Sequence, residues 1–512
     1  MKQKSANGAT AIPKVPTGID GLDEITAGGL PRGRPTLVIG GPGCGKTMLA
    51  AEFIVRGATS FDEAGVFMMF EETADELAAN VRSLGFDLDK LVRQKKVALD
   101  HVHVERSEIE ETGQYDLEGL FIRLGHAIDS VGAKRVVLDT LEALFSGLSD
   151  HAVLRAELRR LFRWLKDRGM TAVITAERGA ETLTRYGLEE YVADCVILLD
   201  HRVTDEVSTR RLRIVKYRGS PHGTNEYPFL IGTGGIVVLP ITSLRLDHAA
   251  SSERAATGIP KLDEMLDDKG FFRDSSVLIS GAPGTGKTSV GACVAAAACA
   301  RGERVLLFSY EESAGQLVRN MRSIGIDLER WLKKGLLSIH ASRPTLQGLE
   351  QHLVVMYEAV RGFAPAVVVV DPISNLTLYA GDAGLKPTLM RLIDFLKQSH
   401  VTAIFTSLIS DAHVAVAETE LGISSLMDTW LLLSNLEANG ERTRALQVVK
   451  SRGMPHSNVV REFVFSNRGL DLLDADHDSG RALTGRLRLG AQNAKDVAKG
   501  RAPGAGSARR RP

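Results

Sequence analysis

The chain has 512 residues, too many for one hydrophobic core and enough for two domains of roughly 200 to 250 residues with a tail left over. Its hydrophobic fraction of 44% and charged fraction of 25% are ordinary for a globular protein, and no apolar run approaches the ~20 residues that a bilayer crossing needs. The 63 basic and 63 acidic residues cancel to a formal net charge of zero, which argues against a global field drawing the chain onto nucleic acid.

Residues 1–13 carry two lysines with no apolar stretch behind them, and read as a disordered leader instead of an export signal. The four cysteines, Cys44, Cys195, Cys293 and Cys299, form no CxxC pair and have no matching histidine spacing. That argues against a disulfide framework or a zinc site and predicts a reducing, cytoplasmic compartment.

From Thr17 the chain begins a pattern that it repeats. TGIDGLDEI returns 240 residues later as TGIPKLDEM, and in the same order GGPGCGKT is matched by GAPGTGKT, FEE by YEE and SLGFDLDKLV by SIGIDLERWL. Further on, RVVLD pairs with VVVVD and IVKYRG with VVKSRG, at offsets of 232 and 234. Loops differ in length while the elements persist in order, so two large copies are expected, each with its own core. Within each copy, short β-branched runs such as TLVIG and AVIT alternate with amphipathic stretches such as LRAELRRLFRWLKDRG. This predicts an α/β fold, in each copy a mainly parallel sheet flanked by helices. We place the copies at residues 14–245 and 256–478, joined by a polar linker at 246–255, with a flexible basic tail at 479–512.

The segments Gly40–Thr47 and Gly281–Thr288 both satisfy GxxxxGK[ST], each after an apolar strand and opening a helix. Glycine lets backbone N–H groups converge on phosphate oxygens, and the helix N-terminus favours the anion. The candidate ATP set is therefore Gly41, Gly43, Cys44, Gly45, Lys46, Thr47 and Met48 in the first copy, and Gly284, Thr285, Gly286, Lys287, Thr288 and Ser289 in the second. Lys46 and Lys287 would reach the β and γ phosphates; Thr47 and Thr288 would offer hydroxyls to Mg²⁺. An isolated match could be a plain strand-to-helix turn, but two at the same repeat position argue against that. Cys44 inside the first loop raises an oxidant-sensitive ATPase as a hypothesis.

Asp139 and Asp371 close apolar runs, where an α/β sheet has its ligand crevice, and suit Mg²⁺ binding. Glu71-Glu72 and Glu311-Glu312 are expected to end the next strand, so that alternation turns one of each pair towards the γ-phosphate. Lys216 with Arg218, and Lys450 with Arg452, lie two apart, share a strand face, and are far in sequence from their own loops, as suits a finger offered to a neighbouring subunit. The plain alternatives are solvated acidic and basic strand ends.

TGI…LDE, the glycine loop, the glutamate pair, the strand-end aspartate and K-x-R-G, occurring twice over roughly residues 14 to 475, make the chain resemble the KaiC family. The resemblance implies a homohexamer of double rings with ATP between subunits, hydrolysis in the first module, and serine autophosphorylation and dephosphorylation in the second. By position it makes Glu71, Glu72, Glu311 and Glu312 catalytic and gives Lys216, Arg218, Lys450 and Arg452 contacts to the neighbour's nucleotide. It further implies phosphoacceptors at Ser424 and Ser425, with Thr419 as an accessory threonine. The acceptor pair is Ser-Ser here instead of Ser-Thr, and the tail matches no KaiA-binding peptide. A KaiB-like protein or a histidine kinase is a candidate partner. Two other readings remain open at this stage: a RecA- or RadA-like nucleic-acid-dependent ATPase, disfavoured by the balanced charge, and an ATP-gated signalling scaffold.

Overall fold

A computed structural model describes residues 12–102, 117–144, 151–179, 183–184, 193–204, 207–240, 251–344, 348–377, 382–409, 424–438, 441–466 and 469–473. The tail and Thr419 lie outside these residues. The chain divides into two compact units, Met1–Leu244 with Glu350–Glu358, and Arg245–Leu349 with Ala359–Pro512.

In the first unit, a small ribbon pairs β1 (Lys14–Val15) with β2 (Leu30–Pro31). The main sheet comprises β3 (Pro35–Gly40), β4 (Gly65–Met69), β5 (Val97–His101), β6 (Arg135–Asp139), β7 (Thr171–Glu177), β8 (Cys195–Thr204), β9 (Val207–Tyr217), β10 (Glu226–Gly232) and β11 (Gly235–Val238). Its order is β11-β10-β9-β8-β3-β7-β6-β4-β5. The pairings from β8 through to β5 are parallel, and β9 to β11 extend the sheet antiparallel. Glycine loop and aspartate thus sit on β3 and β6, with β7 between them.

The apolar runs form strands because both faces are covered. Val38, Phe67, Met69 and Val137 join one core with the helix Lys46–Ser60, while Leu37, Ile39, Val66, Met68, Val136 and Leu138 join a second core with the helices Glu118–Val131 and His151–Asp167. Alternate side chains therefore enter opposite cores, and each fully buried aliphatic contributes about 1.5–3 kcal/mol.

The second unit repeats this plan. After the ribbon β12 (Arg254–Ala255) with β13 (Phe271–Phe272) come β14 (Ser276–Gly281), β15 (Val305–Ser309), β16 (Leu337–Ala341), β17 (Val367–Asp371), β18 (Thr402–Leu408), β19 (Thr429–Ala438), β20 (Glu441–Ser451), β21 (Arg461–Ser466) and β22 (Gly469–Leu472). Their order, β16-β15-β17-β18-β14-β19-β20-β21-β22, is that of the first sheet read from its other edge. Among the described residues, no helix is long and apolar enough to cross a membrane.

One buried carboxylate distinguishes the units. Glu52, fully buried, accepts from the Ile236 N–H at 2.6 Å and pairs with Arg56 at 3.2 Å. Its counterpart in the second unit is Cys293, which accepts from the backbone of Leu470. Burial raises the Glu52 carboxyl pKa above the ordinary glutamate value of 4.5, against the pull of the Ile236 N–H and Arg56. The folded state then holds this proton more tightly than the unfolded chain, so the carboxyl's contribution to stability is fullest below pH 4.5 and is lost as pH rises through the raised value. Denaturant melts of Glu52→Gln and wild type should diverge in the variant's favour as pH rises above 4.5; a pH-independent difference would overturn this account.

Candidate nucleotide sites

The two glycine loops close in the same way. Gly45 and Gly286, the N-caps of the helices Lys46–Ser60 and Lys287–Ala300, have φ of 104° and 97°, a region that only glycine enters cheaply. A Cβ on Gly41, Gly43 or Gly284 would meet nothing within 4 Å, so these backbones face open space. A Cβ on Gly281 would meet the Leu433 carbonyl at 2.5 Å, so the start of that loop is pressed against its sheet. Neither helix has a side-chain cap or an acidic residue in its first turn, which leaves the early N–H groups to an anion. The helices after the glutamate pairs, by contrast, carry complete capping boxes, Thr73 with Glu76 and Ser313 with Gln316.

Lys46, 9% exposed, donates from Nζ to the carbonyls of Gly40 at 2.8 Å and Gly41 at 3.1 Å. Lys287, 7% exposed, donates to Gly281 at 2.9 Å and Ala282 at 2.8 Å. Burial lowers the Lys287 ammonium pKa against the opposing charges of Asp371 and Glu311. Met48 packs against the first core, and Ser289 is buried in the first helical turn.

Cys44 is also buried, and desolvation pushes its thiol pKa up. A reactive cysteine needs exposure and a depressed pKa, so this environment gives the hypothesis of an oxidant-sensitive thiol no support. The counterpart Thr285 shows the position's role: its hydroxyl closes the loop on the Ala282 carbonyl at 2.8 Å.

Thr47 Oγ1 donates to Asp139 Oδ2 at 2.9 Å, and Thr288 bonds Asp371 likewise. Thr175 on β7 and Thr406 on β18 donate to the other oxygens of these aspartates. Desolvation raises both carboxyl pKa values, and the hydroxyls oppose it. A hydroxyl beside a buried carboxylate is the all-oxygen donor pair that suits Mg²⁺, which keeps its other positions for water and phosphate. Open backbone at the loop, an ammonium aimed into it and these oxygens fit a magnesium-bound triphosphate.

The glutamate pairs depart from expectation. β4 ends at Met69 and β15 at Ser309, so Glu71-Glu72 and Glu311-Glu312 lie in the turns beyond, where strand alternation does not apply. Glu71 and Glu311 are exposed, while Glu72 and Glu312 are half-buried. Burial, then the charge of Asp139, raises the Glu72 pKa. Asn80 donates to Glu72 at 3.5 Å, and its counterpart Asn320 to Glu312 at 3.1 Å.

The basic pairs also depart from a simple strand. Opposite β8, Val196 pairs with Lys216 but Ile197 with Ile214, which makes Val215 a bulge; Val449 is the equivalent bulge before Lys450. Arg218 and Arg452 lie one residue past their strands. Arg218 faces Asp194 at 3.9 Å. Lys450 donates to the Ser424 carbonyl and Arg452 to the Ser425 carbonyl, both at 2.8 Å. Burial, then Arg452, lowers the Lys450 pKa. Ser424–Leu426 forms a 3₁₀ turn just before β19, with Ser424 half-buried and Ser425 exposed.

Sequence reasoning missed several residues. Thr175 and Thr406 close the repeated pattern TAxxT, which the repeat alignment contains. Arg444 donates to the Gly284 carbonyl at 3.3 Å and stacks over Phe465 at 5.1 Å; its counterpart Arg210 bears electrostatically on Cys44.

The profile of the family described as "ATPase: KaiC" matches residues 15–243 and again 255–477. The chain is 55% identical to "Circadian clock protein KaiC2" of Synechocystis sp., over 94% of this chain and 84% of that protein. It is 39% identical to "Circadian clock oscillator protein KaiC" of Synechococcus elongatus (93% and 92% covered) and 37% identical to the protein of that name from Prochlorococcus marinus (95% and 98%). With two glycine loops on two like-ordered sheets and a family match to each half, this chain belongs to the KaiC family of ATPases.

Proposed function

We propose that the protein binds magnesium ATP at both loops, hydrolyses it in the first module (14–245) and uses it in the second (256–478) to phosphorylate Ser424 and Ser425 of a neighbouring subunit. The geometry of β14 and β19 carries this reading. Gly281, where the second loop begins, ends β14 and pairs with Leu433, whereas Val277 near the strand's start pairs with Thr429. The serines precede Thr429 and therefore lie at the opposite end of the strand from their own loop, four residues or roughly 13 Å away along β14. A phosphoryl group moves between atoms ~3–3.5 Å apart, so an acceptor at that end needs a donor from another chain. Lys450 and Arg452 lie at the same end as the serines and hold their backbone, as suits a pair presented to the neighbour's triphosphate.

In the second module a serine Oγ attacks the γ-phosphorus as the bond to the bridging oxygen breaks; ADP leaves, and the serine proton passes to Glu311 or Glu312. In the first module water replaces the serine, beside Glu71 and Glu72, and the products are ADP and inorganic phosphate. Thr47 with Asp139, and Thr288 with Asp371, would hold the magnesium ion, which would supply neutralisation of the triphosphate charge. A site split between chains calls for self-assembly, which we take to be a hexamer. The relatives are named as circadian clock proteins, which supports a timing role; a cytoplasmic setting and a KaiB-like protein or a histidine kinase as partner are part of what we propose.

A mixing experiment tests the transfer. Lys287→Ala chains are combined with chains carrying Ser424→Ala and Ser425→Ala, given Mg²⁺ and ATP, and mapped by mass spectrometry alongside native mass measurement. Phosphoserine is expected on the Lys287→Ala chains, within an assembly that ATP stabilises. No phosphoserine on those chains, or a lone chain at saturating ATP, would sink the reading.

A further inference from the structure

The two units hold their first glutamate differently. Asn375 donates from Nδ2 to Glu311 Oε1 at 3.1 Å. At the matching position of the first unit stands Ala143, which has no side-chain donor. One residue earlier, Glu142 accepts from the Glu177 N–H at 2.6 Å, and Ser374 accepts from the Leu408 N–H at 3.1 Å, so both segments are pinned to the same point of β7 and β18. Both follow directly from the aspartate that ends β6 or β17, as the short helices Leu141–Leu144 and Ile373–Thr377.

Glu311 belongs to the nucleotide site, since its charge bears on both Lys287 and Asp371. An exposed glutamate samples several rotamers, and a group that must orient an attacking oxygen works only from those within hydrogen-bond reach. With Asn320 on Glu312 and Asn375 on Glu311, each carboxylate of the second pair receives a side-chain amide, whereas Asn80 on Glu72 is the only such donor to the first pair among the described residues.

We propose that Asn375 is a positioning residue of the second module: it locks Glu311 in the orientation used for phosphoryl transfer, a device the first module does without. This rests on the reading of Glu311 as a group that orients the attacking oxygen. It makes the second module the one with the more fixed catalytic geometry, and the exchange of Asn for Ala a determinant of how the two modules differ in rate.

The test uses the full-length assembly with Glu71→Gln and Glu72→Gln to silence the first module, and follows ADP formation together with phosphoserine at Ser424 and Ser425. ADP reports second-module turnover whether phosphate ends on serine or on water. Asn375→Ala should slow turnover roughly three- to tenfold at saturating ATP with KM unchanged, the scale of one hydrogen bond. Asn375→Asp keeps the shape without the donor and should be at least as slow. Adding Asn375→Ala to Glu311→Ala should cost nothing further, because the two act as one unit. Wild-type turnover in Asn375→Ala or Asn375→Asp, beside a slow Glu311→Ala, overturns the clamp and leaves the reading of Glu311 intact. Wild-type turnover in Glu311→Ala, or no second-module ADP at all, overturns both.

Discussion

Replacing Lys46 by Ala should weaken ATP binding at the first loop by roughly 30- to 1000-fold, and Lys287→Ala should do the same at the second, each with little effect on the other. Each lysine is more than nine-tenths buried and rests its ammonium on two carbonyls of its own loop, so it is already in place before any anion arrives. At Lys287 burial disfavours the charge and lowers the pKa, and a phosphate oxygen relieves that cost more fully than carbonyl dipoles can. Truncating one partner of such a desolvated charge pair typically costs about 2–4 kcal/mol, the source of the fold-change. Two-site titration with a fluorescent ATP analogue in the presence of Mg²⁺ measures it directly. Unchanged affinity at the altered loop would mean that the glycine loops are not where the triphosphate sits.

Arg135→Ala should destabilise the first unit by about 3–5 kcal/mol and leave the unfolding of the second unmoved. Arg135 on β6 has no exposed surface, yet it carries a guanidinium. Its charge is met by Glu63 at 2.7 Å and its remaining donors by the carbonyls of Phe53 and Pro16, both at 2.9 Å. The rings of Phe53 and Phe61 lie 4.6 and 5.2 Å from it. Gly57 makes the room: a Cβ there would lie 2.5 Å from the arginine's Cδ. Alanine at 135 would leave Glu63 with Arg32 alone, which is half exposed, strand two carbonyls and open a cavity. The second unit has Val367 at the matching strand position and needs none of this. Domain-resolved denaturant unfolding gives the number; a loss below about 1 kcal/mol would show that the buried pair contributes little beyond offsetting its own desolvation.

How much of this was legible in the sequence depends on the distance over which each feature is specified. The glycine loops, the strands that end in Asp139 and Asp371, and the parallel core of each sheet are local patterns, written in contiguous residues and doubled by the repeat. The lysine and threonine of each loop stand beside their aspartates because strand, loop and helix leave one path. Other features were closed to sequence reasoning because they depend on register or on partners far along the chain. The glutamate pairs fell past their strands, since pairing with β6 and β17 ends at Met69 and Ser309. The grip of Lys450 and Arg452 on Ser424 and Ser425 spans 26 and 27 residues and exists only once β19 and β20 pair. Asn375 stood next to a recognised motif, but a single amide carries no pattern of its own.

The bulges at Val215 and Val449 have a further meaning for the chemistry. A pleated strand assigns its side chains to two sides in strict turn, so one surplus residue reverses the assignment for everything beyond it. The strand residues at stake beyond it are few, but they include Lys216 in one copy and Lys450 in the other. Each copy has kept this single-residue slip while its loops changed length, so its lysine stands one residue further along the chain than regular alternation would place it on that side of the sheet. Removing that one valine from either strand would let the residues on each side of it pair in regular alternation with their present partners, so the bend and the added twist would be lost while the lysine kept its side of the sheet.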